Sequence, residues 1–198
     1  MVAVGIFDSG FGGLTVVRQL VKLFPGVNLI YFGDAGRVPY GDKSKEQIVE
    51  FNEEIIAFLI EKGVRVILMG CNTSSSLAIE RDKKIFAVPI FGLIDPVARK
   101  INEISHGKRV GVLATVATVN SGAYTKKIKK YHPEVAVFEI ACPKLVPLVE
   151  SGKFEGVEVE TALSEYLKPL LEKGVDVLIY GCTHYPFLEG TLKKLSAG

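Results

Sequence analysis

The sequence predicts an α/β protein built from two similar three-layer halves, each with a mainly parallel sheet between helical layers, related by pseudo-two-fold symmetry. Two observations support this fold class. Short β-branched runs alternate with longer amphipathic stretches along the chain, and a segment of the first half recurs in the second. Alternating strands and helices are typical of parallel sheets that are covered on both faces. With 198 residues, 48% of them hydrophobic, the chain can bury a sizeable core.

Six runs rich in valine and isoleucine predict buried strands. They cover residues 2–7, 29–32, 64–69, 110–114, 135–140 and 175–180. Helices are expected to fill the gaps between these strands. The clearest one starts at Ser44, which has a capping-box spacing to Gln47, and ends near Gly63, a residue suited to the left-handed conformation that follows a helix.

An internal repeat indicates that the two halves arose by duplication. Residues 61–71 and 172–182 both begin with Glu-Lys-Gly-Val and both end with Gly-Cys, at the same spacing. We place the boundary at Asp95-Pro96, because proline disfavours a helical conformation in the residue before it. The predicted halves are therefore residues 1–95 and residues 96–198.

Composition excludes several classes of partner. The 24 basic and 22 acidic residues are dispersed, so no basic stripe is available to neutralise nucleic-acid phosphates. The first residues lack the pattern of a secretory signal, and no apolar run is long enough to cross a bilayer, which favours a cytoplasmic protein without membrane contact. The cysteines are three and far apart, so free thiols are expected.

Polar clusters follow four of the predicted strands, where parallel sheets place their ligand sites. Asp8-Ser9-Gly10 follows the first strand, Cys71-Asn72-Thr73 the third, Thr115 the fourth and Cys182-Thr183-His184 the last. Because two of these clusters are equivalent by duplication, we expect two half-sites that face each other across a cleft.

Two opposed thiols suit a reaction that removes a proton from one face of a planar carbon and returns it to the other. Racemisation at the Cα of an amino acid is such a reaction. An unperturbed thiol has a pKa of about 8.5, so a modest shift lets one cysteine act as base while the other acts as acid. The predicted catalytic residues are Cys71 and Cys182, with Asp8 serving the first thiol and His184 the second.

The same turns predict binding of a carboxylate, through hydroxyl, amide and backbone N–H groups near helix starts. These groups belong to Ser9, Asn72, Thr73, Thr115, Thr118 and Thr183. Gly10, Gly12 and Gly13 predict a tight turn beside the ligand rather than a nucleotide-binding loop. The chain lacks the paired cysteine or histidine spacings of a structural zinc site, so no metal is predicted. Cys142 has no equivalent in the repeat and is interpreted as structural, while His106 and His132 are expected in solvated turns.

Four segments together resemble the glutamate racemases in sequence, order and spacing. They are residues 7–16 (FDSGFGGLTV), 37–41 (RVPYG), 70–73 (GCNT) and 181–186 (GCTHYP), and residues 141–150 (ACPKLVPLVE) are also similar. The resemblance implies that Cys71 exchanges the Cα proton of D-glutamate and Cys182 that of L-glutamate, without a cofactor. It also implies a role in supplying D-glutamate for peptidoglycan.

The resemblance implies further site residues and leaves several questions open. The positions that match the substrate site of the family are Asp8, Ser9, Tyr40, Gly41, Asn72, Thr73, Thr183 and His184. Glu150 fits a catalytic role and a surface turn equally well. Family members usually continue beyond the point that corresponds to Gly198, so the chain is expected to be shortened at its C-terminus. The alternatives are a racemase for aspartate or a related acidic amino acid, and a catalytically impaired binding protein; a homodimer is compatible with all of these.

Overall fold

The computed structural model describes residues 3–196 and contains two parallel sheets. The first sheet has the order β2-β1-β3-β4, and the second has the order β6-β5-β7. The strands are β1 (Ala3–Asp8), β2 (Asn28–Gly33), β3 (Val64–Met69), β4 (Ile90–Phe91), β5 (Arg109–Ala114), β6 (Ala136–Ala141) and β7 (Val177–Gly181). The predicted α/β class with two parallel sheets is confirmed.

All six predicted strands coincide with strands of the structure, and their described ends differ by at most two residues. A seventh strand, β4 (Ile90–Phe91), is not predicted, because two residues are too few to show an alternating pattern. Met1, Val2, Ala197 and Gly198 belong to the ends of the predicted halves, and Val2 to the first predicted strand; these four lie outside the described residues.

Ten helices connect and cover the strands within residues 3–196. They are α1 (Leu14–Leu23), α2 (Lys45–Glu61), α3 (Asn72–Leu77), α4 (Ile79–Ile85), α5 (Ile94–Ile104), α6 (Val116–Ser121), α7 (Ala123–Tyr131), α8 (Leu145–Glu150), α9 (Val157–Glu172) and α10 (Glu189–Ser196). Short 3-10 turns occupy Tyr40–Asp42 and Tyr185–Leu188. Helix α2 begins with the predicted capping box, in which Gln47 N donates to Ser44 Oγ at 3.2 Å and Ser44 N donates to Gln47 Oε1 at 3.0 Å. After its end, Gly63 takes a φ of +86°.

Three apolar clusters fix the layers. In the first half, Phe7 and Ile67 of the sheet pack with Ile55 and Leu59 of α2. The second sheet is covered on both faces, by α8, α9 and α10 on one side and by α5 and α7 on the other. Burying one such aliphatic or aromatic side chain stabilises a fold by roughly 1.5–3 kcal/mol, so these clusters hold the strand ends at fixed positions.

The junction between the halves differs from the sequence prediction in one respect. Asp95 and Pro96 both lie in the first turn of α5, where proline loses no intrahelical hydrogen bond because the first N–H groups of a helix have no partner within it. The expectation that Pro96 keeps the preceding residue out of a helix is therefore wrong. Ala98 and Ile101 of α5 pack in the core of the second half. The division into residues 1–95 and 96–198 stays a proposal.

Candidate active site

The turn after β1 is shaped by close packing against the second half. Gly10 N donates to Asp8 Oδ1 at 3.0 Å, which folds the turn back over the end of the strand. A Cβ atom on Gly12 would lie 2.6 Å from Thr183 Oγ1, and one on Gly13 would lie 2.6 Å from Asp8 Cβ. Both distances are too short for carbon contacts. Glycine is therefore required at position 12 because the second half meets the turn there, and at position 13 because the turn packs against Asp8 of its own half.

Cys71 and Cys182 lie at equivalent strand ends. Cys71 follows β3 after a single glycine, and Cys182 directly follows β7. The two residues are 4% and 7% exposed, and both line one cavity. The structure thus brings the two thiols of the internal repeat to a common space between the halves.

Most of the predicted binding residues share that cavity wall, and a few lie behind it. The wall contains Ser9, Tyr40, Gly41, Asn72, Thr73, Thr115, Thr183 and His184. Asp8, Thr118 and Glu150 are not on the wall, but each hydrogen-bonds a residue that is. His106 is exposed, as predicted, whereas His132 is partly buried rather than fully solvated; neither lines the cavity.

Several wall residues are not predicted as site residues, and Cys142 is the most informative of them. Cys142 is 1% exposed and lines the cavity, and its Sγ lies 3.4 Å from Ile140 O. It directly follows β6, so the strand-end rule that identified Cys71 and Cys182 applied to it as well. The remaining missed wall residues are Pro39, Asp42, Val116, Pro143, Val146 and Pro147.

Asp8 bridges the two halves. It is wholly buried, and Thr183 Oγ1 donates to its Oδ2 at 3.0 Å. Burial raises the pKa of Asp8 from its usual 3.8 to about 6, against the opposing effects of Gly10 N–H, the nearby His184 and the Thr183 hydroxyl. This carboxyl can therefore exchange a proton near neutral pH.

His184 links the second thiol to a carboxylate. Its Nδ1 lies 3.7 Å from Cys182 Sγ, and its Nε2 lies 2.6 Å from Glu150 Oε1. Glu150 is the last residue of α8, and the ring of Phe11 meets the imidazole edge-on with centroids 5.2 Å apart. The imidazole is thereby fixed on three sides and directed at the sulfur.

Burial raises the pKa of both thiols. For Cys71 the negative charge of Asp8 adds to this effect, while hydrogen bonding by Ser74 and Ser9 opposes it. Burial raises the pKa of Cys182 well above its usual value, and the backbone N–H of His184 opposes this effect. Both cysteines are consequently held as neutral thiols, and a thiolate forms only when a nearby positive charge or donor stabilises it.

Hydroxyl groups from both halves meet beside the thiols. Thr73 Oγ1 and Thr115 Oγ1 are 3.0 Å apart, and Thr118 Oγ1 lies 3.0 Å from Thr115 Oγ1. From the second half, the hydroxyl of Tyr124 donates to Asn72 Oδ1 at 2.6 Å. Tyr124 lies on α7, which has no distinguishing motif, so no local pattern predicts its place in the site.

The loop that carries Tyr40 is held by an ion pair between Arg37 and Asp34. Asp34 Oδ2 accepts a hydrogen bond from Arg37 Nε at 2.6 Å and another from the Tyr40 hydroxyl at 2.5 Å. Tyr40 is thereby oriented along the wall, and neighbouring Gly41 approaches Thr115 of the other half.

No group of three His, Cys, Asp or Glu side chains in residues 3–196 is arranged to hold a metal ion. Over the same residues, no helix has both the length and the apolar character that a membrane crossing needs.

The Asp/Glu/Hydantoin racemase family model matches residues 5–196. The chain belongs to this family. A glutamate racemase of Picosynechococcus sp. is 45% identical over 97% of the chain, which spans 68% of that relative. The crystal structure of the Francisella tularensis glutamate racemase in complex with D-glutamate is 38% identical and superposes with a TM-score of 0.92, covering 98% of this chain and 73% of that one. An aspartate racemase of Picrophilus torridus, 21% identical with a TM-score of 0.66, covers 98% of this chain and 87% of that one and shares the fold.

Proposed function

We propose that this protein interconverts L- and D-glutamate without a cofactor, using Cys71 and Cys182 as the two acid–base groups. The observation that carries the proposal is the cavity that both thiols line, in a chain similar to glutamate racemases over nearly its whole length. Two bases on opposite sides of one carbon are what an inversion of configuration by proton transfer needs.

In the proposed reaction, the thiolate of Cys71 removes the Cα proton of D-glutamate. The electron pair of the broken C–H bond passes into a planar carbanion that the adjacent carboxyl group delocalises. The thiol of Cys182 then gives its proton to the opposite face, which yields L-glutamate, a Cys71 thiol and a Cys182 thiolate. The reverse direction exchanges the two roles.

Asp8 and His184 are proposed to adjust the charge of the thiols. A carboxyl with a pKa of about 6 can accept the proton that Cys71 must lose before it acts as a base. On the other side, the imidazole at 3.7 Å from Cys182 can take or return the proton of that thiol, and Glu150 holds the imidazole by its contact with Nε2 at 2.6 Å.

The wall residues are proposed to bind the two carboxylates and the ammonium group of glutamate. Asn72, Thr73, Thr183 and Ser9 offer amide, hydroxyl and backbone N–H groups to an anion, and Thr115 and Thr118 support Thr73. The substrate ammonium would supply the positive charge that favours a thiolate in this buried site. Tyr40 and Gly41 are proposed to complete the wall of the cavity on the side of the first half, facing the residues of the second half.

The resemblance extends the proposal to the cellular setting. We propose a cytoplasmic enzyme that supplies D-glutamate for peptidoglycan and that forms a homodimer. Light scattering on the purified protein tests the dimer.

Aspartate is the alternative substrate, and assays of both amino acids by chiral chromatography distinguish them. A protein that binds glutamate by calorimetry without any exchange at Cα would instead be a binding protein.

Isotope exchange tests the proposed reaction. Incubation of either enantiomer in D2O should place deuterium at Cα of the product. Cys71→Ser and Cys182→Ser should abolish racemisation, whereas Cys142→Ser, a change of the third thiol of the same cavity, should retain most of it. Normal turnover in both of the first two variants would overturn the assignment.

A further inference from the structure

Tyr31 of β2 contacts the turn that follows β1 and takes no part in the proposed reaction. Its side chain is partly buried, and its hydroxyl donates to Gly10 O at 2.5 Å. Gly10 is buried, and within residues 3–196 its carbonyl receives no other hydrogen bond. A buried carbonyl without a partner costs free energy, so the Tyr31 hydroxyl stabilises this position of the turn.

Two further glycines leave the space for this contact. A Cβ atom on Gly33, at the end of β2, would lie 2.8 Å from Gly10 O and 3.2 Å from Tyr31 Cε1. A Cβ atom on Gly13 would lie 2.8 Å from the hydroxyl oxygen of Tyr31. Any side chain at either position would push the carbonyl and the hydroxyl apart, so both glycines serve a close approach of the backbone.

Gly10 also holds the carboxyl of Asp8, through its N–H group. Gly10 N donates to Asp8 Oδ1 at 3.0 Å, while Thr183 Oγ1 donates to Asp8 Oδ2 at 3.0 Å. Glycine has more conformational freedom than any other residue, so the direction of its N–H depends on what holds its carbonyl. In this turn the hydroxyl of Tyr31 holds the carbonyl. The hydrogen-bonded path therefore runs from Tyr31 through Gly10 to Asp8.

We infer that Tyr31 is a positioning residue that holds the carbonyl of Gly10, directs the N–H of Gly10 at Asp8 and so fixes the carboxyl that serves Cys71. The inference rests on the proposed function, in which Asp8 accepts the proton of that thiol. Without the hydroxyl, the backbone can rotate at Gly10, and the ionised form of Asp8 loses part of the bond from its N–H. Asp8 then keeps its proton to a higher pH.

The other titratable groups that face Asp8 and this turn come from both halves and are common to the variants described next. They are Cys71, Cys182, His184 and Glu150. The phenol of Tyr31 stays protonated, because burial raises its pKa and the nearby charge of Asp8 adds to this effect. Replacing Tyr31 with phenylalanine therefore removes a hydrogen-bond donor without removing a charge.

Amide hydrogen exchange followed by NMR tests the step from Tyr31 to Gly10. In Tyr31→Phe, the N–H of Gly10 should exchange about three- to tenfold faster than in the unaltered protein, the effect of one lost hydrogen bond. The N–H of Asp34, which donates to the backbone oxygen of Asp8 at 2.9 Å, is the matched control and should keep its rate. Tyr131→Phe removes a hydroxyl outside the cavity and should change neither rate.

A titration of Asp8 tests the step from Gly10 to the carboxyl. It is followed by the ¹³C signal of the carboxyl carbon, which Asp8→Asn identifies. The N–H of Gly10 lowers the pKa of Asp8 against the effect of burial. The acid dissociation constant of Asp8 should therefore fall about three- to tenfold in Tyr31→Phe. The acid limb of kcat should move to higher pH by the same factor.

Three results would overturn the inference. The first is an unchanged exchange rate at Gly10, and the second is an equal acceleration at Gly10 and Asp34, which would mean a general loosening of the fold. The third is faster exchange at Gly10 with an unchanged titration of Asp8. Tyr31→Leu provides the same comparisons if Tyr31→Phe does not fold.

The failure of this inference and that of the proposed function are distinguishable, because exchange and titration need no racemase activity. A shifted titration of Asp8 with an unchanged acid limb of kcat would support the role of Tyr31 and contradict the role of Asp8 in the reaction.

Discussion

The surroundings of the two thiols differ although their positions are equivalent. Cys71 has a carboxyl, Asp8, and the hydroxyls of Ser9 and Ser74 beside it. Cys182 has an imidazole, His184, at 3.7 Å. The two strand ends therefore match, with a cysteine at each, whereas the polar groups beside the two sulfurs differ.

The two partners are also anchored in different ways. Asp8 belongs to the first half but accepts a hydrogen bond from Thr183 of the second, so its position depends on the contact between the halves. His184 lies two residues from its cysteine and contacts Glu150 of the same half at 2.6 Å, while Phe11 of the first half packs against its ring. We therefore expect the Cys71 side to respond more strongly to separation of the halves than the Cys182 side, whose polar contact lies within one half.

The largest effect should come from removing one thiol at a time. Cys71→Ser and Cys182→Ser should each reduce racemisation by roughly a thousandfold or more, within the range for loss of a general acid or base. The two variants should still differ, because the remaining thiol can exchange the Cα proton on its own face. Cys182→Ser should exchange only D-glutamate and Cys71→Ser only L-glutamate, as followed by proton NMR in D2O. Equal exchange of both enantiomers in one variant would contradict the assignment of the faces.

Asp8→Asn should have the next largest effect, about a hundredfold on kcat. In the parent, activity should fall as the pH drops through about 6, where Asp8 takes up a proton, and the variant should lack this acid limb.

The free energy of unfolding should depend on pH in the opposite sense. Because the pKa of Asp8 is raised in the folded state, its protonation stabilises that state fully below pH 3.8, and this contribution is lost as the pH rises through about 6. The free energy of unfolding of the variant, relative to the parent, should therefore grow over that interval. A constant difference would show that Asp8 does not titrate as described.

The sequence predicted the strand ends well because β-branched runs and the Gly-Cys repeat are local patterns. It therefore found Cys71 and Cys182 and the polar turns around them. Contacts across the halves have no such local pattern. That Tyr124 would reach Asn72 depends on how the second half sits on the first, and packing of this kind is not encoded in any short segment.

The same distinction explains the error at Pro96. The rule for proline holds in the interior of a helix, and the sequence does not show that Pro96 lies in a first turn. Cys142 follows a strand and lines the cavity, and its interpretation as a structural residue stays a prediction. For Glu150 the sequence leaves a catalytic role and a surface turn equally open, and its contact with His184 Nε2 at 2.6 Å is the observation from which the catalytic role is proposed.

Glu150→Gln should have a smaller effect, about tenfold on kcat. The amide can still accept a hydrogen bond from His184 Nε2 at its present 2.6 Å, but it no longer balances the positive charge that the imidazole gains when it takes the proton of Cys182. Glu165→Gln is a matched control, since Glu165 pairs with Lys144 on the surface. If Glu150→Gln matched this control in racemase assays, His184 would not act as a proton acceptor for Cys182.

Tyr124→Phe should have the smallest effect and bears on how the halves depend on each other. The change removes the hydrogen bond to Asn72 Oδ1 without changing the ring, so an amide beside Cys71 loses a partner supplied by the second half. We expect KM for glutamate to rise about threefold with kcat nearly unchanged, because Asn72 is proposed to bind the substrate rather than to transfer a proton. Tyr131→Phe removes a comparable hydroxyl that bonds Asp95, away from the cavity, and should leave KM as it is. A fall in kcat with constant KM in Tyr124→Phe would instead show that the contact between the halves controls Cys71 itself.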